Sequence, residues 1–484
     1  MSLLFTLLGC SFTGYESVDC TANFECRDAF GFGWACDSEI GLCEVAEVHP
    51  RCASTWPEDL FLRPENYSDT IVIASMFDHS ADIAEINSAR LPVTQVTDQG
   101  GLNDRGYAIV ECTYEENPAL DALDYPGAAR EVSLYLADTL GIAAIVGPAT
   151  SSQTQEVYNA TSELGVFIIS PSATSPALTN IDGLEKTDAN PGHLWRTAPP
   201  DSLQGVAVAE DMKTRGLKDV AIIYQSGPYG EGLAEVFLDT FIDDFHDVDA
   251  YLFTTDSDRD VAVSQAGETN VEEVFFISSE VADIIAFLLG ASVNDNYDDK
   301  TFFLADGAAD EQMLQQTQGA SEVWDRIRGS RPAVPDGNVY KAFDTAYAAA
   351  YGVSADVSVY TGYTFDASWL AIYGTAWAAR DGESITGTGI AQGLRKVSNG
   401  GVVEIRANSW NDVKATFAES RPIDVVGASG ELDYDPITEE TTTPIEIWSV
   451  NDSGDGFQLC TTWCWEGVTP TLCSEGFDAC LQAE

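Results

Sequence analysis

Ala144-Ile145-Val146-Gly147-Pro148-Ala149-Thr150-Ser151-Ser152-Gln153-Thr154-Gln155, followed by Gly165-Val166-Phe167-Ile168-Ile169-Ser170-Pro171-Ser172-Ala173-Thr174-Ser175-Pro176-Ala177-Leu178-Thr179, decides the fold. Two short apolar runs, Ala143–Val146 and Val166–Ile169, each end abruptly in small hydroxyl residues. Continuous apolar runs of this length read as strands buried on both faces, the habit of parallel sheets. Between them, Gln153–Leu164 has helical spacing and a hydroxyl-rich start. The unit is strand–loop–helix–strand–loop. Both loops lie beyond the carboxyl ends of strands, where open α/β sheets bind ligands. Ser151, Ser152, Ser172 and Thr174 supply hydroxyls there, and free N–H groups at the helix start suit a carboxylate. Helix caps and turns use the same residue types. The stretch alone does not separate binding from capping.

The neighbouring sequence does. Gly147–Thr154 fits Gly-x-x-x-Ser-Ser-x-Thr, and Ile169–Thr174 fits Ile-Ser-Pro-x-Ala-Thr. Leu194-Trp195-Arg196-Thr197-Ala198-Pro199-Pro200-Asp201 follows, with Gln204-Gly205 after it. Then come Val220–Tyr224 with Tyr229-Gly230-Glu231-Gly232, and later Gly427-Ala428-Ser429-Gly430 before Leu432-Asp433-Tyr434-Asp435. In this order the segments resemble the type I periplasmic solute-binding proteins, specifically the leucine/isoleucine/valine-binding family. The resemblance covers roughly Asp69 to Val450. It implies two lobes, each a mostly parallel sheet with helices on both faces, and a ligand held between them.

The resemblance also implies roles. Ser151 and Thr174 would donate hydroxyl and N–H bonds to a ligand α-carboxylate, with Ser152 and Ala173 in the same loops. Ser172 would accept from an α-ammonium through its carbonyl. Tyr229 would close the site from the second lobe. Asp306, after Phe302–Ala305, would hold the ammonium, and Glu280, after Phe275–Ser279, has a similar strand-end position. A buried carboxylate needs such a partner to stay charged. The loop Ser75-Met76-Phe77-Asp78-His79 departs from the family, whose turn there is rich in Pro and Gly.

The chain has 484 residues, 45% hydrophobic and 10% aromatic, enough for two or three domains with real cores. No apolar run reaches the length of a membrane span. Acidic residues number 78 against 23 basic, for a net charge of −55. Such a surface repels nucleic acid and anionic membranes, and reads as adaptation to salt. Met1-Ser2-Leu3-Leu4-Phe5-Thr6-Leu7-Leu8-Gly9-Cys10 resembles a bacterial lipoprotein signal, short and lacking the basic start, with Cys10 as the lipidated residue. Eleven cysteines less Cys10 leave ten, an even number. Cys20, Cys26, Cys36, Cys43, Cys52 and Cys112 lie toward one end, and Cys460, Cys464, Cys473 and Cys480 at the other. Dense clusters flanking a Cys-poor body suggest disulfide-stapled modules in an oxidising compartment. Zinc ranks lower, because no paired Cys-x-x-Cys is present. Connectivity is open, although Cys52 and Cys112 are expected to join the N-terminal module to the first lobe.

Expected boundaries are 1–10 for the signal, 11–60 for a Cys-rich module, 66–196 with 331–425 for lobe 1, 197–330 with 426–455 for lobe 2, and 456–484 for a Cys-rich tail. Glu58 to Ser68 reads as a linker, Asp121–Leu140 as one amphipathic helix, and Leu432–Tyr434 as a strand. The four histidines, His49, His79, His193 and His246, lack partners at motif spacing, and nucleophile-elbow, P-loop and zinc-protease motifs are absent. Gly387–Gly393 has one residue too many for a dinucleotide fingerprint. Asn451–Gly456 lacks the distal Glu of a calcium loop. The expectation is a non-enzyme with no cofactor and no metal. It would be a monomeric lipoprotein, anchored at the periplasm or cell surface, that gives an amino acid or related amide to an ABC transporter permease. The alternative is a sensory or protein-interaction lipoprotein on the same fold.

Overall fold

A computed structural model describes residues 18–333, 335–467, 469–473 and Cys480. The expected signal and Cys10 lie outside the described residues. The N-terminal module contains helix α1 (Asn23–Phe30) and the antiparallel strands β1 (Trp34–Asp37) and β2 (Leu42–Val45). Cys20–Cys36 and Cys26–Cys43 staple it. The module is not a free bead. Arg27 donates to the Asp138 and Thr139 carbonyls at 2.6 and 2.8 Å, and Cys52–Cys112 links the chain after it to the first lobe.

The first lobe is a six-stranded sheet. Its strands are β3 (Ser54–Trp56), β4 (Ile71–Phe77), β5 (Tyr107–Thr113), β6 (Ala144–Val146), β7 (Phe167–Ser170) and β8 (Leu194–Arg196), in the order β3-β5-β4-β6-β7-β8. All neighbours run parallel except β3, which pairs antiparallel with β5. Helices α2 (Ile83–Asp98), α3 (Tyr125–Leu134) and α4 (Ser151–Thr161) connect them. The expected helix 121–140 begins later, where Asp124 caps Gly127 N at 2.9 Å, and its last turn widens at Tyr135–Thr139.

The second lobe is built from α5 (Asp201–Thr214), β9 (Asp219–Gln225), α6 (Pro228–Phe241), β10 (Asp247–Phe253), α7 (Asp256–Gly267), β11 (Glu273–Ile277), α8 (Val281–Ser292), β12 (Thr301–Leu304), α9 (Glu311–Gln316) and β13 (Ile327–Pro332). The chain then returns to the first lobe with α10 (Asn338–Tyr351), α11 (Thr361–Ala378), α12 (Gly387–Leu394), β14 (Gly401–Glu404), α13 (Trp410–Ala418), β15 (Ile423–Gly427) and β16 (Gly430–Glu431). A last crossover leads to β17 (Ile445–Val450), β18 (Phe457–Glu466) and β19 (Thr469–Leu472). These complete an eight-stranded sheet, β10-β9-β11-β12-β13-β17-β18-β19, parallel through β13 and antiparallel after it. The lobes are thus joined by three crossovers.

Each sheet is covered on both faces, which is why its central strands are continuously apolar. One first-lobe core joins Ile71, Ile73 and Phe77 to α11 and to Trp410. Every residue of α11 is buried, and the Ser368 hydroxyl ties it to α2 by donating to the Ala89 carbonyl at 2.8 Å. No described helix is long and apolar enough to cross a membrane.

Several expected boundaries move. Ala428, Leu432 and Tyr434 belong to the first-lobe core, so 426–434 lies with lobe 1, not lobe 2. Leu432–Tyr434 is no strand; Tyr434 makes only an isolated bridge to Thr441. Residues 457–466 and 469–472 are sheet strands of lobe 2 rather than a separate tail, stapled by Cys460–Cys480 and Cys464–Cys473. The segment read as a linker buries Leu60 against Phe32, Ala46 and Cys52. The module therefore shares the first lobe's core. In both places the apolar partner comes from a distant part of the chain, and burial decides the assignment.

Candidate functional site

The opening stretch folds as read. Gly147 ends β6 at φ +96°, and a Cβ there would stand 2.4 Å from the Met76 carbonyl oxygen of β4. Only glycine fits that approach. The chain turns immediately into α4, where Thr150 caps the Gln153 N–H at 3.4 Å. The Ser151 and Ser152 N–H groups, at the first two helical positions, have no acceptor among the described residues. Such groups carry the positive end of the helix dipole. On the second lobe Gly230 plays a matching part. A Cβ on it would stand 2.0 Å from the Gln225 carbonyl oxygen, so α6 starts tight against the end of β9 and sets Tyr229 into the cleft.

A cavity of about 460 Å³ lies between the lobes. From the first lobe it is lined by the start of α2, by Ala149, Thr150, Ser151 and Ser172, and by the segment leading into α11. From the second lobe Tyr229, Ser279, Asp306 and Asp310 line it. The Ser151 hydroxyl accepts from Ser175 N at 3.2 Å, which leaves its own proton free. The Ser172 hydroxyl donates to the Ala149 carbonyl at 2.8 Å.

Asp306 is the polar centre of the second-lobe wall. Its Oδ1 accepts from Gln204 Nε2 at 2.8 Å and from the Tyr229 hydroxyl at 2.5 Å. Its Oδ2 accepts from the Tyr360 hydroxyl, which comes from the first lobe, at 2.5 Å. Burial, reinforced by the Asp306 charge, holds both phenols well above their ordinary pKa. Tyr229 and Tyr360 are thus donors at any working pH. A carboxylate has about four acceptor sites, so Oδ2 retains capacity toward the cavity.

The expected residues separate. Ser151, Ser172, Tyr229 and Asp306 converge on one cavity. Ser152, Ala173, Thr174 and Glu280 are not among its lining residues. Ala173 gives its carbonyl to Arg196 at 3.2 Å, and Glu280 is exposed at the start of α8. The Thr174 hydroxyl is turned away and donates to Asp201 Oδ2 at 2.9 Å. Asp201 is fully buried, its other oxygen unpartnered. Burial, with the nearby Asp306 charge, pushes its carboxyl well above the usual range.

Sequence reading missed Tyr360, Asp82, Glu85 and Asp310. Asp78, Asp82 and Glu85 follow one another at helical spacings of four and three, a signal lost among 78 acidic residues. Tyr360 is distant in sequence and reaches the cleft only after the second crossover.

The hinge is fixed by Arg196. Its guanidinium pairs with Glu440 and donates to the Ser175 carbonyl at 2.7 Å and to Thr179 at 2.8 Å. Ser175 in turn donates across the lobes to the Pro228 carbonyl at 2.5 Å.

Known proteins share this fold. The family model described as the receptor family ligand binding region matches residues 116–436, well over half of the chain. A leucine-specific-binding protein of Salmonella typhimurium is 32% identical over 151 residues, which is 31% of this chain and 36% of that protein. The match therefore spans about a third of that relative's length. Among solved structures, a leucine-binding protein from Thermotoga maritima superposes with a TM-score of 0.63 at 17% identity, covering 81% of this chain and 98% of that one. A branched-chain amino acid transporter substrate-binding protein from Streptococcus pneumoniae, in complex with isoleucine, gives 0.59 at 21% identity, covering 81% and 99%. At these identities the structures speak for the fold, which is that of the type I periplasmic binding proteins. With its two lobes, three crossovers and interlobe cavity, the chain belongs to the receptor family ligand binding region.

Proposed function

We propose that the chain is an extracytoplasmic solute-binding protein that captures an amino acid or a related amide between its lobes. The observation that carries this reading is the cavity itself. One wall offers Ser151 and the open start of α4, suited to a carboxylate; the Ser172 carbonyl beside them and, on the facing wall, Asp306 and Tyr229 suit an ammonium. Closure of the lobes would bury the ligand. The closed form would then be read by an ABC transporter permease, with the chain a monomer tethered through a lipidated Cys10. In this reading no bond is made or broken. A thermal-shift screen against free amino acids, amides and short peptides tests it. Ligand at a hundredfold its Kd stabilises by about 2.7 kcal/mol, and a panel with no stabilising member rejects the reading.

A second reading keeps the fold without transport, as a sensory or protein-interaction lipoprotein. The disulfide-stapled module at residues 18–45 and the added strands β18 and β19 favour it. A permease and ATPase gene pair beside the gene would decide for transport.

A further inference from the structure

Four carboxyl side chains line the cavity: Asp82 and Glu85 from α2, and Asp306 and Asp310 from the second lobe. Among the described residues, no lysine, arginine or histidine lines it. Their surroundings divide them. Asp306 is held by Gln204, Tyr229 and Tyr360. Glu85 is held by far less. It is only 7% exposed. The Ser358 hydroxyl donates to Oε1 at 2.5 Å, and Oε2 receives no hydrogen bond from another described residue. Asp82 Oδ2 accepts from Asp78 N at 3.0 Å and, weakly, from the Tyr114 hydroxyl at 3.4 Å. Burial and the Glu85 charge push the Asp82 carboxyl well above its usual range; burial, with the Asp310 charge facing it, raises Glu85.

A carboxylate this deep without a cation is costly. A protein that only packed its cleft would place a lysine or arginine there. This one leaves the charge open to the cavity, beside the apolar Ile83, Val353 and Val357 and the ring of Tyr347. Such surfaces accommodate a methylene chain that ends in a charge. The carboxylates do not form an ion cage. Among the described residues, the one group of three or more potential ligand atoms within 4.8 Å of one another is the disulfide-bonded Cys20, Cys26 and Cys36. Separated carboxylates fit separated charges on one organic molecule.

We propose that the cleft selects an amino acid whose side chain carries a second cationic group, a lysine- or ornithine-like molecule, with the α-ammonium at Asp306 and the distal ammonium among Asp82, Glu85 and Asp310. This rests on the amino-acid reading above and adds the class of side chain.

Calorimetric titration of the full chain with L-lysine, L-norleucine and cadaverine is the test, on the wild type, Glu85→Gln and Asp310→Asn. Lysine is expected to bind at least tenfold more tightly than norleucine, which lacks the distal amine. Each substitution should shrink that ratio at least threefold; Asp310→Asn keeps a side-chain acceptor for the α9 cap and guards against a Glu85 variant that fails to fold. Norleucine binding as well as lysine would overturn the second cation and leave the amino-acid reading standing. Cadaverine binding more tightly than lysine would uphold the acidic wall and overturn the amino-acid reading. Silence from all three, together with an unresponsive amino-acid panel, would overturn both.

Discussion

The Tyr360 hydroxyl, carried by the first lobe, donates to Oδ2 of Asp306 in the second lobe at 2.5 Å. The bond joins the two walls of the cavity that both residues line. It couples the proposed ammonium site to closure, since opening the lobes must break it.

Tyr360→Phe therefore removes an interlobe tie while keeping the ring. Hydrogen bonds to carboxylates are worth about 1.5–3 kcal/mol, so ligand affinity should fall by about tenfold or more. Small-angle scattering of the ligand-free variant should show a larger radius of gyration than the wild type. Unchanged affinity and unchanged scattering would show that the tie carries no closure energy.

Thr174→Ala should act on stability more than on binding. The Thr174 hydroxyl is spent on Asp201, a buried carboxyl with its second oxygen already unpartnered. Losing the donor should cost about 1–3 kcal/mol, read by urea unfolding, with affinity changed less than threefold. A tenfold affinity loss at unchanged stability would instead place the hydroxyl on the ligand, as the family resemblance implies.

Asp366 sets a pH dependence. It lies at the heart of α11, fully buried, and accepts from Ala428 N at 2.9 Å and Ser429 N at 2.6 Å. Burial pushes its carboxyl up to about 7 from an ordinary 3.8, against the bonds from Ser429 and Ala428. Between those values the folded chain holds a proton that the unfolded chain has lost. The group's contribution is intact below about pH 4, declines as pH rises, and levels off above about pH 7, a loss of about 4 kcal/mol. Asp366→Asn retains an acceptor and cannot ionise. Melting curves from pH 4 to 8 should show the variant gaining on the wild type as pH rises. A constant difference across that range would contradict the assignment.

The Cys52–Cys112 bridge closes 60 residues of chain. In the chain-entropy account a loop of that size is worth about 4 kcal/mol. Replacing both cysteines with alanine should lower the Tm and expose the junction near Leu60 to proteolysis before the rest of the lobe. Thiol labelling of the denatured, unreduced wild type should find none of the ten partnered cysteines free; labelling of any would refute that pairing.

By itself the sequence determined the alternation of buried strands and helices, the two loops at the ends of β6 and β7, the family, and the even count of cysteines. These are local or countable properties. A run such as Val166–Ile169 is apolar on both faces because a sheet covered on both sides demands it. It was less telling where the demand is weak. The edge strand β10, largely exposed, and α7 after it gave no pattern to read. Tertiary structure alone decided what faces the ligand. Ser151 and Thr174 are both small hydroxyl residues at strand-end loops, yet one lines the cavity and the other caps Asp201. Tyr360 and Asp306 are 54 positions apart and meet only through a crossover. Asp82 and Glu85 differ from dozens of surface carboxylates only in being closed in by a second lobe. Chain order does not encode which distant groups share a cavity, and burial, which gives a charge its meaning, exists only once the lobes have come together.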